Sequence, residues 1–206
     1  KCDIMDFDYK QYDKDYFDCV TASPPCVNYS LLKKCCYGRK LKSGIIYTKE
    51  QNEIDQNEAD ILVLKSLEII NYFNPTLWWI ENPQTGNLKN RDIMKDIPFY
   101  DVDYCMYSDW GYKKRTRFWT NKEDWDNKLC DNSGSCGNMI YLDSRHLHKT
   151  NCGNTEKIQA VRRHIKSIGI GKDEIALGQK SVAGGGTNRL QRYRIPEDLI
   201  FSLLLD

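Results

Sequence analysis

Ser23-Pro24-Pro25-Cys26 sets a thiol behind a proline pair. Glu81-Asn82-Pro83 follows, with Glu81 fifty-five residues after Cys26, and Lys114-Arg115-Thr116-Arg117 comes about thirty residues later. A Pro-Pro turn behind a hydrophobic strand presents a cysteine at a strand end, where its thiolate is an accessible nucleophile. A carboxyl group after a second apolar run and a basic pair after a third supply an acid and a cationic clamp. Nucleophile, acid and clamp in this order point to covalent activation of an electron-poor ring. Each residue also has a plainer reading. Cys26 would be a buried structural thiol, Glu81 a helix cap or lysine partner, and Arg115 and Arg117 surface charges on an edge strand. The ordered set favours the chemical reading.

The elements that must position these groups are legible in outline. Phe17 to Ala22 reads as a short buried strand, stopped by Pro24-Pro25. Residues 27–55 carry Lys33, Lys34, Arg39, Lys40 and Lys42 with no clear period, and read as a mobile loop with a helical turn. Ala59, Leu62, Val63, Leu67, Ile70 and Phe73 recur at helical spacing, predicting a helix over about 56–73 that Asn74-Pro75 ends. Leu77 to Ile80 predicts the next buried strand, with Glu81 at its C-terminal end. Ligands of open α/β sheets gather at the carboxyl ends of strands, which is where Cys26 and Glu81 fall. Val102, Tyr104 and Met106 alternate as a strand near the sheet edge, and Arg117 to Thr120 reads as a further strand.

Beyond residue 121, Gly, Asn, Ser, Cys and His replace the apolar periodicity, and a boundary is expected there. The resulting division is a core over 1–120, a small basic region over 121–194, and a C-terminal helix over 195–206 packed on the core. A helix is expected over 155–167, with Ile158, Val161 and Ile165 on one face, and Gly184, Gly185 and Gly186 mark a flexible loop. Pro196 fits the first turn of the last helix, with Leu199, Ile200, Leu203 and Leu204 on its buried side.

At 206 residues the chain is long enough for one α/β domain with a substantial core. It has no run of eighteen apolar residues, so no membrane span is expected. Its nine cysteines, odd in number and irregularly spaced, fit reduced intracellular thiols better than a disulfide framework. The net charge is +1, yet residues 145–194 hold eleven Lys/Arg against three Asp/Glu, a local +8 that leaves −7 on the rest. All three histidines lie in that stretch too. Such asymmetry points to a polyanion-binding face, with a solvated surface as the plainer alternative. Cys130, Cys136, His146, His148 and Cys152 are weak zinc candidates. Their spacing is looser than the tight pairs of structural zinc sites, and no metal is expected.

The motifs together resemble those of DNA cytosine-5 methyltransferases, especially the short versions of phages, large DNA viruses and bacteria. Pro25-Cys26 matches the end of the family's nucleophile motif, Glu81-Asn82-Pro83 its Glu-Asn motif, and Arg115-Thr116-Arg117 its Arg-x-Arg motif. Asp109-Trp110-Gly111 is similar to the Asp-Tyr-Gly that precedes the last of these. Asp3-Ile4 matches the acidic pair that contacts the adenine of S-adenosylmethionine. Glu81 to Gly86, Tyr104 to Tyr107, Lys114 to Trp119 and Tyr193-Arg194-Ile195-Pro196 are similar to the short viral subgroup. The resemblance covers essentially the whole chain.

It implies a Rossmann-like, S-adenosylmethionine-dependent methyltransferase sheet with a small target-recognition region, working as a monomer on duplex DNA with a flipped cytosine. Cys26 would add to cytosine C6, Glu81 would support N3, and Arg115 and Arg117 would orient the base. Asp3, Ile4 and Pro25 would touch the cofactor. Lys33, Lys34, Arg39, Arg162, Arg163, Arg189 and Arg192 would contact nucleic acid. The chain departs from the family pattern at Val27, where Gln is usual, and around Tyr112-Lys113. The Gly-rich loop that cradles the cofactor's methionine part and the Gly-Asn motif near the C-terminus are not found. A chain lacking its first strands, and binding the cofactor poorly by itself, is therefore expected. A tRNA cytosine-5 methyltransferase and an inactive DNA-binding remnant of the same fold are the alternatives.

Overall fold

The apolar period between Ala59 and Phe73 becomes the inner face of a longer helix, α1 (Lys49–Phe73), in the computed structural model, which describes residues 1–41, 43–142, 145–149 and 193–205. The first two turns, Lys49 to Asn57, are mostly charged and polar and have no apolar period to read. They are helical because the Thr48 hydroxyl accepts the Gln51 N–H at 3.2 Å and because Glu and Gln are good helix formers. Asn74 ends the helix in the left-handed region, at φ 44°, with its N–H on the Ile70 carbonyl, and Pro75 follows.

Residues 27–48 are built from short pieces and do not form one unstructured loop. A 3₁₀ turn spans Leu31–Cys36, with the Ser30 hydroxyl accepting the Leu32 N–H. Arg39 and Tyr47 then close a small hairpin, in which Lys40 bridges to Ile46.

Described strands are β1 (Cys19–Ala22), β2 (Leu77–Pro83), β3 (Phe99–Asp103), β4 (Arg115–Thr120), β5 (Met139–Leu142) and β6 (Arg145–His148). The first four form a sheet in the order β1-β2-β4-β3, giving a mixed α/β architecture with β3 at an edge. β1 and β2 are parallel, with Ala22 opposite Ile80, and α1 lies between them in sequence as a βαβ unit. β2 and β4 are antiparallel, with Asn82 opposite Arg117 and Pro83 opposite Thr116. That partner carries β2 past Ile80, so Glu81 and Asn82 belong to the strand. β4 likewise starts two residues earlier than its apolar run suggests. The strand expected through Val102, Tyr104 and Met106 ends at Asp103, because Tyr104–Met106 turn into a 3₁₀ helix. Val102, Asp103, Tyr104 and Cys105 are all buried, so the apparent alternation there carried no face information.

The chain divides into two units, Lys1–Asp101 with Thr116–Trp125, and Val102–Arg115 with Asp126–Asp206. In the first unit Val63 and Ile70 of α1 pack with Ile80, Trp119, Leu88, Met94 and Tyr29. Burying each large apolar side chain contributes roughly 1.5–3 kcal/mol. In the second, β5 and β6 form a hairpin with Met139 opposite His148. Tyr104, Trp110 and Tyr112 make an aromatic cluster there, and the Arg194 guanidinium lies 3.5 Å over the Trp110 ring. Helix α2 (Glu197–Leu205) buries Leu199 and Leu203, whereas Leu204 is exposed and leaves the expected buried side. The helix expected over 155–167 and the glycine loop at 184–186 lie outside the described residues. No described helix is long and apolar enough to cross a membrane.

Asp60 is a polar hub within the first unit. Its carboxylate accepts the Tyr29 hydroxyl at 2.8 Å and the Arg91 guanidinium at 2.8 Å. Tyr29 is fully buried three residues after Cys26, and its N–H donates to the Cys26 carbonyl, so this hub fixes one flank of the cysteine loop to α1. Asp60→Ala would leave a buried hydroxyl and a half-buried guanidinium short of a partner. The expected loss is roughly 2–4 kcal/mol, read as a lower urea midpoint at unchanged slope. A midpoint unmoved by the substitution would mean that the hub does not hold the loop.

Candidate active site

Parallel pairing of β1 with β2 puts the chain after Ala22 beside the chain after Ile80. Pro24-Pro25-Cys26 leaves the end of β1, and Glu81-Asn82 close β2 at the same edge. One side-chain contact ties them together: the Asn82 amide Nδ2 donates to the Pro24 carbonyl at 2.9 Å. Proline carbonyls still accept although proline has no N–H to give, so this bond holds the loop without constraining its prolines. Asn82 is 1% exposed and Glu81 7%, so both polar groups are buried in the strand end. Cys26 is half-buried. Cys19, inside β1, has its thiol pushed above the ordinary range by burial. Among the described residues the buried Asn82 Oδ1 has no hydrogen-bond partner, and the Thr116 hydroxyl on β4 is in the same condition.

Arg117 stands opposite Asn82 on β4. Its guanidinium forks onto Asp101 at 2.7 and 2.9 Å and lies 3.5 Å from the Phe99 ring centroid. This planar, bidentate and stacked arrangement is one that lysine cannot reproduce. Arg115 falls in the second unit, where it forks onto the fully buried Asp103 at 3.1 and 2.7 Å. Both arginines are thus held by aspartates that the sequence reading did not pick out. The signal was present, since Asp101-Val102-Asp103 has the same two-residue spacing as Arg115-Thr116-Arg117.

The remaining predicted residues are placed as follows. Asp3 is exposed, with Oδ1 accepting the Met5 N–H at 2.9 Å, and Ile4 beside it is half-buried in a turn. Pro25 is exposed. Lys34 and Arg39 are exposed, but Lys33 reaches Asp55 and Asn28, each at 2.7 Å. Burial works against the charge on Lys33. Hydrogen bonds to Asp55 and Tyr47 outweigh it and hold the ammonium above its ordinary value. Arg162, Arg163, Arg189, Arg192 and Cys152 lie outside the described residues.

Of the zinc candidates, Cys130, Cys136 and His148 meet in the second unit, joined by Cys105, which the sequence reading missed. His146 is not among them: it packs against Gly134 and the Tyr141 ring.

A protein of frog virus 3 (isolate Goorha), named "Probable DNA (cytosine-5)-methyltransferase", is 35% identical to the chain over 207 residues, covering 98% of this chain and 81% of that protein. No family model matches the chain.

The Asn82–Pro24 bond makes a direct prediction. Asn82→Ala is expected to cost roughly 1–2 kcal/mol in urea unfolding. It should also raise the rate of Cys26 alkylation by iodoacetamide severalfold, followed by peptide mass mapping in native buffer. Unchanged alkylation would show that the loop is held by other contacts.

Proposed function

The chain belongs to the DNA (cytosine-5)-methyltransferase family, and from that premise we propose that it transfers a methyl group to C5 of cytosine in DNA through a covalent Cys26 adduct. The observation that carries this reading is the Asn82–Pro24 hydrogen bond, which fastens the Pro-Pro-Cys loop to the strand end bearing Glu81, with Arg117 opposite Asn82. The β1-α1-β2 unit supports a Rossmann-like sheet, whose ligands gather at this edge.

The ring chemistry follows from these groups. Cytosine C5 is inert while the ring is conjugated. The Cys26 thiolate forms a bond to C6, and the C5=C6 electron pair moves into the ring and on to C5, making C5 nucleophilic. Glu81 supports N3, where negative charge builds, through a hydrogen bond. S-adenosylmethionine, when bound, would supply the electrophilic methyl group that C5 takes, its sulfonium sulfur keeping the bonding pair and leaving as a thioether. A base then removes the C5 proton, the electron pair re-forms C5=C6, and the Cys26–C6 bond breaks, returning the thiolate. Arg117, stiffened by Asp101 and Phe99, orients groups around the flipped base.

The cofactor's adenosine end calls for an accessible acceptor beside an apolar surface. Exposed Asp3, with half-buried Ile4 next to it, fits that requirement. These two residues, with Pro25, would hold it. The reducing, intracellular setting suggested by the cysteines suits a thiolate nucleophile.

Duplex DNA carrying 5-fluorocytosine tests the mechanism, because fluorine at C5 cannot leave as a proton does. With S-adenosylmethionine, the chain should form an adduct that survives denaturing electrophoresis. Cys26→Ala should abolish it, and Glu81→Gln should slow its formation by roughly 100-fold or more. An adduct undiminished by Cys26→Ala would overturn the assignment. Trapping on tRNA but not on duplex DNA would move the substrate to RNA. Duplex binding with no adduct would leave a binding remnant.

A further inference from the structure

The geometry points to a structural zinc site in the second unit, formed by Cys105, Cys130, Cys136 and His148. Their ligand atoms all lie within 4.8 Å of one another. The His148 Nε2 is 3.7 Å from the Cys130 sulfur and 3.7 Å from the Cys136 sulfur. Tetrahedral zinc, with Zn–S near 2.3 Å and Zn–N near 2.0–2.1 Å, requires S···N edges of about 3.6 Å and S···S edges of about 3.8 Å. Two edges match closely, and the rest fall within an ångström or so. Three thiols and an imidazole are the soft donor set that selects zinc over magnesium or calcium.

The site is assembled by the fold and not by proximity in sequence. Cys105 sits in the 3₁₀ turn after β3, and Cys130 in the loop before the hairpin. Cys136 precedes β5, and His148 ends β6 opposite Met139. Left-handed residues bend the chain between the second and third ligands and just after the third: Asn132 at φ 64°, Gly134 at φ 101° and Gly137 at φ 68°. A side chain at Gly134 would also meet the His146 ring at 3.0 Å, which keeps His146 beside the site without joining it.

A second layer of hydrogen bonds fixes the ligand backbones. The buried Asn138 amide nitrogen, one of its two N–H groups shared, donates to the carbonyls of Cys105 at 2.8 Å, Cys136 at 3.0 Å and Ser108 at 2.7 Å, and its oxygen accepts the Gly111 N–H at 2.8 Å. Asp103 accepts the Cys130 N–H at 2.9 Å, and Lys113 donates to the Cys130 carbonyl at 2.8 Å. Such outer-layer partners are what hold metal ligands in orientation. Asp103 also carries Arg115, so the metal would order the same carboxylate that holds this arginine.

Elemental analysis of the full chain, purified without chelator, should find about one zinc per molecule, the ratio a closed four-ligand site requires. Cobalt(II) exchanged into the site should give the intense visible bands and thiolate charge-transfer absorption of tetrahedral sulfur coordination. The cobalt spectrum of the unaltered protein reads the site even where variants fail to fold. Cys136→Ser and His148→Ala should lose the metal, whereas His146→Ala should keep it. Zinc at no more than about a tenth of an equivalent, with no tetrahedral cobalt spectrum, would overturn the site. So would a disulfide among these cysteines in non-reducing mass analysis, or a metal retained in full by both Cys136→Ser and His148→Ala.

Discussion

The candidate active site depends on one strand being hydrogen-bonded on both sides, parallel to one neighbour and antiparallel to the other. β2 runs Leu-Trp-Trp-Ile and then Glu-Asn-Pro. Its apolar half needs a central position to bury both faces. Its polar end must then be buried too, since β4 continues alongside it to Thr116. Burying an amide and a carboxyl is costly unless they find partners. Asn82 meets part of that cost by binding the backbone of the loop leaving β1. The Cys26 loop is thus positioned by the same bond that makes the buried strand end tolerable, which is why the segments bearing Glu81 and Cys26 are joined although their elements are separated by a 25-residue helix.

The two arginines obey a similar logic. A guanidinium near a reacting ring is useful only if its position is fixed, and an exposed arginine loses considerable side-chain entropy when fixed. Forking onto a carboxylate and stacking on a ring fixes it in advance. Arg117 has both devices, in Asp101 and Phe99. Arg115 has a fully buried carboxylate in Asp103, which Lys113 also approaches at 3.4 Å and the Cys130 N–H at 2.9 Å. Any anionic or carbonyl group these arginines hold must share them with aspartates already in place.

The parts of this arrangement that were legible in the sequence are those with a local signal. The apolar period of α1, the Asn74-Pro75 stop, the strand before Pro24 and the ordered Cys26, Glu81 and arginine motifs all depend on neighbours within a few residues. What could not be read depends on pairing across the chain. β2 runs through Glu81 only because β4 is its partner. α1 begins at Lys49 because of a cap and helix-forming polar residues, which leave no hydrophobic trace. The pairing of Lys33 with Asp55 across the chain leaves no local trace in the sequence. Cys105 stood in what read as an alternating strand, far upstream of the other metal-ligand candidates. Only the 3₁₀ turn at Tyr104 brings its sulfur to Cys130.

The described part of the second unit gives the proposed metal a structural reason. Its described hairpin has strands of only four residues each, too short to be stable alone in water. The loop from Asp126 to Asn138 is mostly polar and exposed, with Cys130 and Asn138 its buried residues. Such a segment cannot offset its ordering entropy through apolar burial. Hydrogen bonds from one asparagine to three carbonyls give it shape, but each is worth only about 1 kcal/mol net. A four-ligand metal would close the chain between Cys105 and Cys130 and between Cys136 and His148 at once, stabilisation that apolar burial in the 126–138 loop does not supply. The ligand set draws on both ends of the segment, at Cys105 and at His148, as a staple must.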